Sequence, residues 1–332
     1  MKKKQFEFLS SDTKTMIHAT KWVPEGEIKG VLQICHGMVE YMGRYDDYAR
    51  FMADKGFYVV GNDHLGHGGS VMRDEDHGFF GHPDGNKHVI GDIHHMRELT
   101  ELDLIDICEK RIKERDGEDA AADAYKKALS IPYFMLGHSM GSFLLSQYLT
   151  IHGGGLDGAI IMGTGRQPAA LLKSGKAVCR ALAAVKGWRT RSRMVYMMAF
   201  GKYNDRIENA RTIQDWLTRD EAVVDAFLHD PWCTYMFTLN AFHQMFEGML
   251  VAADKKEIAK IPKDLPVLLV SGSEDPVGDY GKGVKKVYDS YVRAGIRDIK
   301  MKLYKGDRHE ILNELDRETV YDDILEWISE HM

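Results

Sequence analysis

Short apolar runs and helical stripes take turns along this chain. Residues 5–11 and 14–23 alternate apolar and polar positions around Ser11-Asp12, which predicts an antiparallel hairpin at a sheet edge. Residues 30–35 (Gly-Val-Leu-Gln-Ile-Cys) read as a buried strand ending at His36-Gly37-Met38. Tyr45, Tyr48, Ala49, Phe51 and Met52 form the stripe of a helix that Gly56 closes. Residues 57–60 are the next strand, running into Asp63-His64-Leu65-Gly66-His67-Gly68-Gly69-Ser70. A long helix over 87–114 follows, then a polar connection over 115–130 rich in Asp and Ala. Strands over 133–136, 158–162, 266–270 and 301–304 complete the series, with a last helix from about 315 to 331.

Short apolar strands alternating with helices call for a mostly parallel sheet with helices on both faces. In such sheets the reactive groups sit beyond the carboxyl ends of the strands. The interval 166–260 breaks the alternation. It is helical in pattern and rich in Met and aromatic residues, including Met194, Tyr196, Met197, Met198, Phe200, Trp216 and Trp232. We expect a core built from 1–165 and 261–332, with 166–260 inserted as a helical cap.

Composition narrows the function classes. The 332 residues are 44% hydrophobic, enough for a large core, and the formal net charge of -6 favours neither nucleic acid nor an anionic membrane surface. The basic start Met1-Lys2-Lys3-Lys4-Gln5 is not followed by an apolar export segment, and no run of about 18 apolar residues predicts an integral membrane span. Cys35, Cys108, Cys179 and Cys233 are scattered without paired spacing, which suits a reducing cytoplasm and argues against disulfides or a zinc site.

The chemistry centres on Gly137-His138-Ser139-Met140-Gly141. A strand precedes this pentapeptide and a helical pattern, 143–151, follows it. That context makes Gly-x-Ser-x-Gly a nucleophile elbow, in which a tight turn presents the serine hydroxyl to a base. A base and a group to orient it must then follow strand ends later in the chain, in the order serine, acid, histidine. The strand at 158–162 ends in Gly163-Thr164-Gly165 and offers no acid. The strand at 266–270 ends in Ser271-Gly272-Ser273-Glu274-Asp275-Pro276, so the acid is Asp275 or its neighbour Glu274; the following proline favours Asp275. Of the 15 histidines, His309 is singled out by position: it lies in the loop Lys305-Gly306-Asp307-Arg308-His309-Glu310 directly after the last strand, and it comes after the acid. His64 and His67 lie in a Gly-rich turn and are expected to tie it down. An oxyanion hole needs two backbone N–H groups, expected from Met140, after the nucleophile, and Met38, in the loop after the early strand.

These stretches resemble the monoacylglycerol lipase and lysophospholipase group of α/β-hydrolases, the serine aminopeptidase-like family. The matching residues are His36-Gly37 with Glu40 and Gly43-Arg44-Tyr45, the 63–70 turn, Leu136 to Gly141, Gly272-Ser273-Glu274-Asp275, and His309-Glu310. The resemblance implies the α/β-hydrolase fold, the triad Ser139, Asp275 and His309, and oxyanion donors at Met38 and Met140. It also implies that Glu40, Arg44 and His138 shape the polar end of a substrate pocket, near a glycerol-like head group; an Arg–Glu pair holding the loop is the alternative. Two positions depart from the family: Met38, where a small residue is usual, and Ser142, where a second glycine is usual.

The expected activity is hydrolysis of small-molecule acyl esters of monoacylglycerol or lysophospholipid type through an acyl-enzyme, with no metal and no cofactor. Phe242, Met245, Phe246, Met249 and Leu250 form one helical stripe, expected to pack on the core; the sharper alternative is an acyl tunnel shared with 194–198. Two other functions stay open. An amidase or aminopeptidase would need an acidic subsite such as Glu208, Asp215 or Asp220. A hydrolase-like binding protein without turnover usually lacks a triad member, and none is missing here.

Overall fold

A computed structural model describes residues 1–116 and 124–332. The strands are β1 (Lys2–Leu9), β2 (Met16–Val23), β3 (Gly30–Cys35), β4 (Phe57–Asn62), β5 (Tyr133–His138), β6 (Gly158–Met162), β7 (Val267–Gly272) and β8 (Ile299–Tyr304). They form one sheet in the order β1-β2-β4-β3-β5-β6-β7-β8. The β1–β2 hairpin and the β2–β4 pair are antiparallel, and every pair from β4 to β8 is parallel.

Every residue of β3, β4, β5, β6 and β7 is buried. That explains why these strands read as continuous apolar runs and not as alternations: helices cover both sides. The pleat still divides them. Tyr133 and Met135 of β5 face the core under the long helix α2 (Gly85–Asp116), whereas Phe134 and Leu136 face the opposite core, with Tyr48, Met52, Tyr321 and Trp327. Each fully buried side chain of this kind contributes about 1.5–3 kcal/mol. The second core belongs to α1 (Asp46–Asp54), whose stripe the sequence predicts, and to the C-terminal helix α11 (Arg317–Ser329).

The expected polar connection over 115–130 is partly helical: residues 124–129 form α3 (Ala124–Leu129), while 117–123 lie outside the described residues. From β5 the chain enters α4 (Met140–His152). Between β6 and β7 run α5 (Ala169–Lys186), α6 (Arg193–Phe200), α7 (Glu221–His229), α8 (Leu239–Ala252) and the short α9 (Lys255–Ile258). The one β feature there among the described residues is an isolated bridge, Arg191 to Thr238. Helix α10 (Lys282–Ala294) links β7 to β8. Among the described residues no helix is long and apolar enough to cross a membrane.

Helix α8 packs as the plainer reading expects. Phe242 is fully buried against Phe200 and Phe237, and Phe246 abuts Gly175 of α5. The tunnel reading finds no support in α6. Its Met194, Met197 and Met198 share one face at helical spacing, but that face is turned outward and each side chain is about half exposed.

Candidate active site

Three strand ends converge on one edge of the sheet. At the end of β5, Ser139 takes φ 53° and ψ -118°, a region in which L-residues are strained. Two bonds hold it there: its N–H donates to the Met162 carbonyl at 3.0 Å, and its carbonyl accepts from Ser142 N–H at 2.9 Å. Gly141 is required because a Cβ there would overlap the Cys35 carbonyl, so helix α4 could not start so close to β3. Ser142, the departure from the family, turns its hydroxyl onto the same Ser139 carbonyl at 2.6 Å and braces the turn further.

Beyond β7, Asp275 is fully buried. Its Oδ1 accepts from Val277 N–H at 2.8 Å, and its Oδ2 lies 3.0 Å from the Ser271 hydroxyl. Beyond β8, the buried His309 places Nδ1 3.0 Å from Asp275 Oδ1. Burial alone would raise the Asp275 pKa, but the charge and hydrogen bond of His309, with those two donors, hold it below the ordinary carboxylate value. The neighbouring Glu274 is exposed, lines a groove of about 290 Å³ with Arg206 and Arg308, and accepts from the Ser273 hydroxyl at 3.4 Å. The geometry separates the two acids that the sequence left open.

The imidazole lies against the elbow. Its ring centroid is 4.8 Å from that of His138, the residue before Ser139. Gly163, at φ 59° after β6, makes room for it, since a Cβ there would come within 3.1 Å of His309 Cε1. Asp275 thus engages Nδ1, and Nε2 is the ring nitrogen left clear of that carboxylate. Among the described residues no hydrogen bond holds the Ser139 hydroxyl; contacts between a nucleophile and its base often tighten only with substrate bound.

The N–H groups of Met140, first in α4, and Met38, after β3, have no backbone acceptor among the described residues. The loop carrying Met38 reaches the elbow, because a Cβ on Gly37 would lie 3.1 Å from Ser139 Cβ. Glu40 holds this loop from beneath. Its Oε1 accepts from Gly37 N–H and from the Tyr45 hydroxyl (2.8 Å) and lies 3.1 Å from His138 Nδ1. Its Oε2 pairs with Arg44 at 3.1 Å, and Arg44 forms a fork on Glu310 with two bonds of 2.7 Å. Glu40 and His138 are buried and the Arg44 side chain is only 10% exposed, and their polar atoms are turned to one another around a cavity of about 10 Å³. Burial opposes charge on Glu40 and Glu310, yet His138 and Arg44 hold the former, and Arg44 the latter, below their usual range. Burial would lower His138, but Glu40 raises it above its ordinary value. The Arg–Glu pairing that the sequence leaves open as the alternative for these residues is present, and it braces the loop that carries Met38.

The turn at 63–70 is a second brace. Asp63 accepts from Met42 N–H and Gly69 N–H, both at 2.8 Å, and His64 N–H donates to His36 Nε2 at 2.9 Å. His67 puts Nδ1 3.0 Å from the Leu65 carbonyl.

Sequence reasoning missed residues 215–219, which lie directly on the site. The Trp216 ring lies tilted against that of His309, 5.0 Å between centroids, and its carbonyl accepts from His309 N–H at 3.4 Å. The only signal for it was its place in an aromatic-rich interval, and that composition is equally expected of a packed helix.

Comparisons with known proteins agree with this fold. The family description "Serine aminopeptidase, S33" matches residues 26–316. A monoacylglycerol lipase of Mycolicibacterium smegmatis is 26% identical over 314 residues, covering 94% of this chain and 92% of that protein. The human monoglyceride lipase is 24% identical over 312 residues, covering 93% of this chain and 85% of that one. The crystal structure of a thermostable carboxyl esterase from Bacillus coagulans, in complex with glycerol, superposes with a TM-score of 0.85 at 27% identity, covering 100% of this chain and 99% of that one.

Proposed function

The chain belongs to the serine aminopeptidase S33 family and is a carboxylic ester hydrolase of α/β-hydrolase fold, and from that premise we propose that it hydrolyses monoacylglycerols with Ser139, His309 and Asp275 as its triad. The observation that carries the triad is the Asp275–His309 pair seated against a strained serine. Ser139 Oγ attacks the ester carbonyl while His309 Nε2 takes its proton. Asp275 keeps the other nitrogen protonated and steadies the imidazolium. The Met38 and Met140 N–H groups, unclaimed by the backbone, receive the oxyanion; losing one such donor costs about 10²–10³ in kcat. His309 then protonates the departing glycerol. Water, deprotonated by the same imidazole, releases the fatty acid and restores the hydroxyl.

The substrate class rests on the monoacylglycerol lipases among the relatives and on the glycerol held by the esterase of Bacillus coagulans. An aminopeptidase would need a free carboxylate for the substrate amine. Asp215 is consumed by Arg211 N–H and Thr212, and Asp220 caps α7, which leaves only Glu208 of the three acids considered. All four cysteines are free and buried, which suits a reducing compartment, and we place the protein in the cytoplasm.

The test sets monoacylglycerols beside lysophospholipids, aryl esters and aminoacyl p-nitroanilides. Monoacylglycerols are expected to give the highest kcat/KM, and Ser139→Ala to reduce every rate to background in a folded protein. Faster cleavage of the nitroanilides would overturn the substrate assignment.

A further inference from the structure

The cap stretch 215–219 is tied to the loop carrying His309 by bonds running in both directions. Main-chain N–H groups of His309 and Glu310 donate to the Trp216 and Leu217 carbonyls at 3.4 and 2.7 Å. Arg308 reaches outward to the Asp215 and Thr218 carbonyls at 2.6 and 3.1 Å, and the Thr218 hydroxyl donates to the Asn313 carbonyl at 3.0 Å. Arg219 reaches inward. Its Nη2 donates to Asp307 and Asp316 at 2.5 and 2.6 Å, its Nε to Glu314 at 2.9 Å, and its main-chain N–H to Glu314 at 3.1 Å.

Asp307, Glu314 and Asp316 present oxygens within 4.8 Å of one another, a grouping that calls for a cation. The guanidinium of Arg219 is that cation, and its planar fork suits several carboxylates at once. Two of the three carboxylates are fully buried, so the charge could not be replaced by water without cost. The strain is legible in Asp307, which burial, then Glu314 and Asp316, push up to about 7. Asp307 stands two residues before His309 and is joined to it through the peptide chain alone, so a shift of one displaces the other.

We propose that Arg219 is a positioning residue for the hydrolysis: it latches 215–219 of the cap onto the His309 loop and thereby fixes the imidazole against Ser139. The proposal rests on His309 being the base. It also means that this stretch, though inserted with the cap, moves with the core. Any cap motion that admits a lipid must bend to either side of 215–219.

The test compares Arg219→Ala, Arg219→Lys and, as a control on the same cap, Arg211→Ala, whose partner Asp225 faces solvent. A misplacement of the order of 1 Å at a reacting group costs about 100-fold. Arg219→Ala should lower kcat by about 10–100-fold while KM stays within about twofold. Arg219→Lys should recover part of the loss, because it restores the charge without the fork, and Arg211→Ala should keep the original kcat. If Arg219→Ala does not fold, Asp316→Asn, which loosens the exposed end of the same latch, should lower kcat in the same direction by less. An unchanged kcat in Arg219→Ala, or in Asp316→Asn where that variant stands in for it, would overturn the latch, and so would an equal loss in Arg211→Ala. His309→Ala separates the two readings. If it retains activity, the base itself is misassigned. If it is inactive while Arg219→Ala is not impaired, the latch alone is wrong.

Discussion

Gly37 shows how closely single residues are specified around Ser139. A methyl group at this position would meet Glu40 Oε1 on one side and Ser139 Cβ on the other. Glu40 is itself fixed by Tyr45, His138 and Arg44, so it cannot yield without loosening the loop that carries Met38. Gly37→Ala should therefore lower kcat by about 10–100-fold, part of the loss expected for an oxyanion donor, with the protein still folded. Steady-state kinetics beside a melting curve checks this, and kcat within twofold of the original would contradict it. Residue chemistry was also where the sequence spoke most clearly. Ser139, Asp275 and His309 each follow a strand, and the topology forces strand ends together. Glu40, Arg44 and His138 were legible as a group, and the Arg–Glu pairing was one of two readings the sequence left open. Pairing among buried charges depends on side-chain direction, which spacing does not give.

Strands and helices were legible to different degrees. The parallel strands β3 to β7 announced themselves because burial on both faces leaves a largely apolar run bounded by glycine or proline. The stripe of α1 was equally plain. Helix α3 was not, since residues 124–129 carry two lysines and sit in a polar stretch, and its buried Ala124 and Ala128 give a weak stripe. The cap was harder still. Its helices are apolar on more than one side: α8 buries Phe242 while α6 turns three methionines outward. Composition alone cannot say which apolar side chains face the core. The 215–219 stretch has no periodic signal because it is held by main-chain carbonyls and by one arginine.

The whole molecule carries a second polar layer beneath the site whose charge state governs stability. His64 and His67 are buried, and burial, reinforced by the charge of His36, holds both well below their ordinary value. A histidine kept neutral in the fold but free to protonate when unfolded stabilises the protein above about pH 6.5, and that stability is lost as pH falls, by about 1.4 kcal/mol per unit. Asp307 and Asp92, raised to about 7 and about 6, act in the opposite sense between pH 4 and those values. The pH curve of the intact protein is their sum, so a difference is needed. His67→Phe loses the bond to the Leu65 carbonyl but keeps the contacts with Phe80 and Phe237. It should be less stable at pH 7.5, and the gap should narrow by about 1.4 kcal/mol per unit below pH 6.5. Urea unfolding at several pH values measures it; a gap independent of pH would mean that His67 is not held neutral.

The catalytic assignment is tested most directly by mapping the site of covalent labelling with a fluorophosphonate. One adduct is predicted, on the peptide bearing Ser139, absent from Ser139→Ala and formed about 10³-fold or more slowly in His309→Ala. An adduct on another residue of the active enzyme, or labelling at full rate without His309, would contradict it.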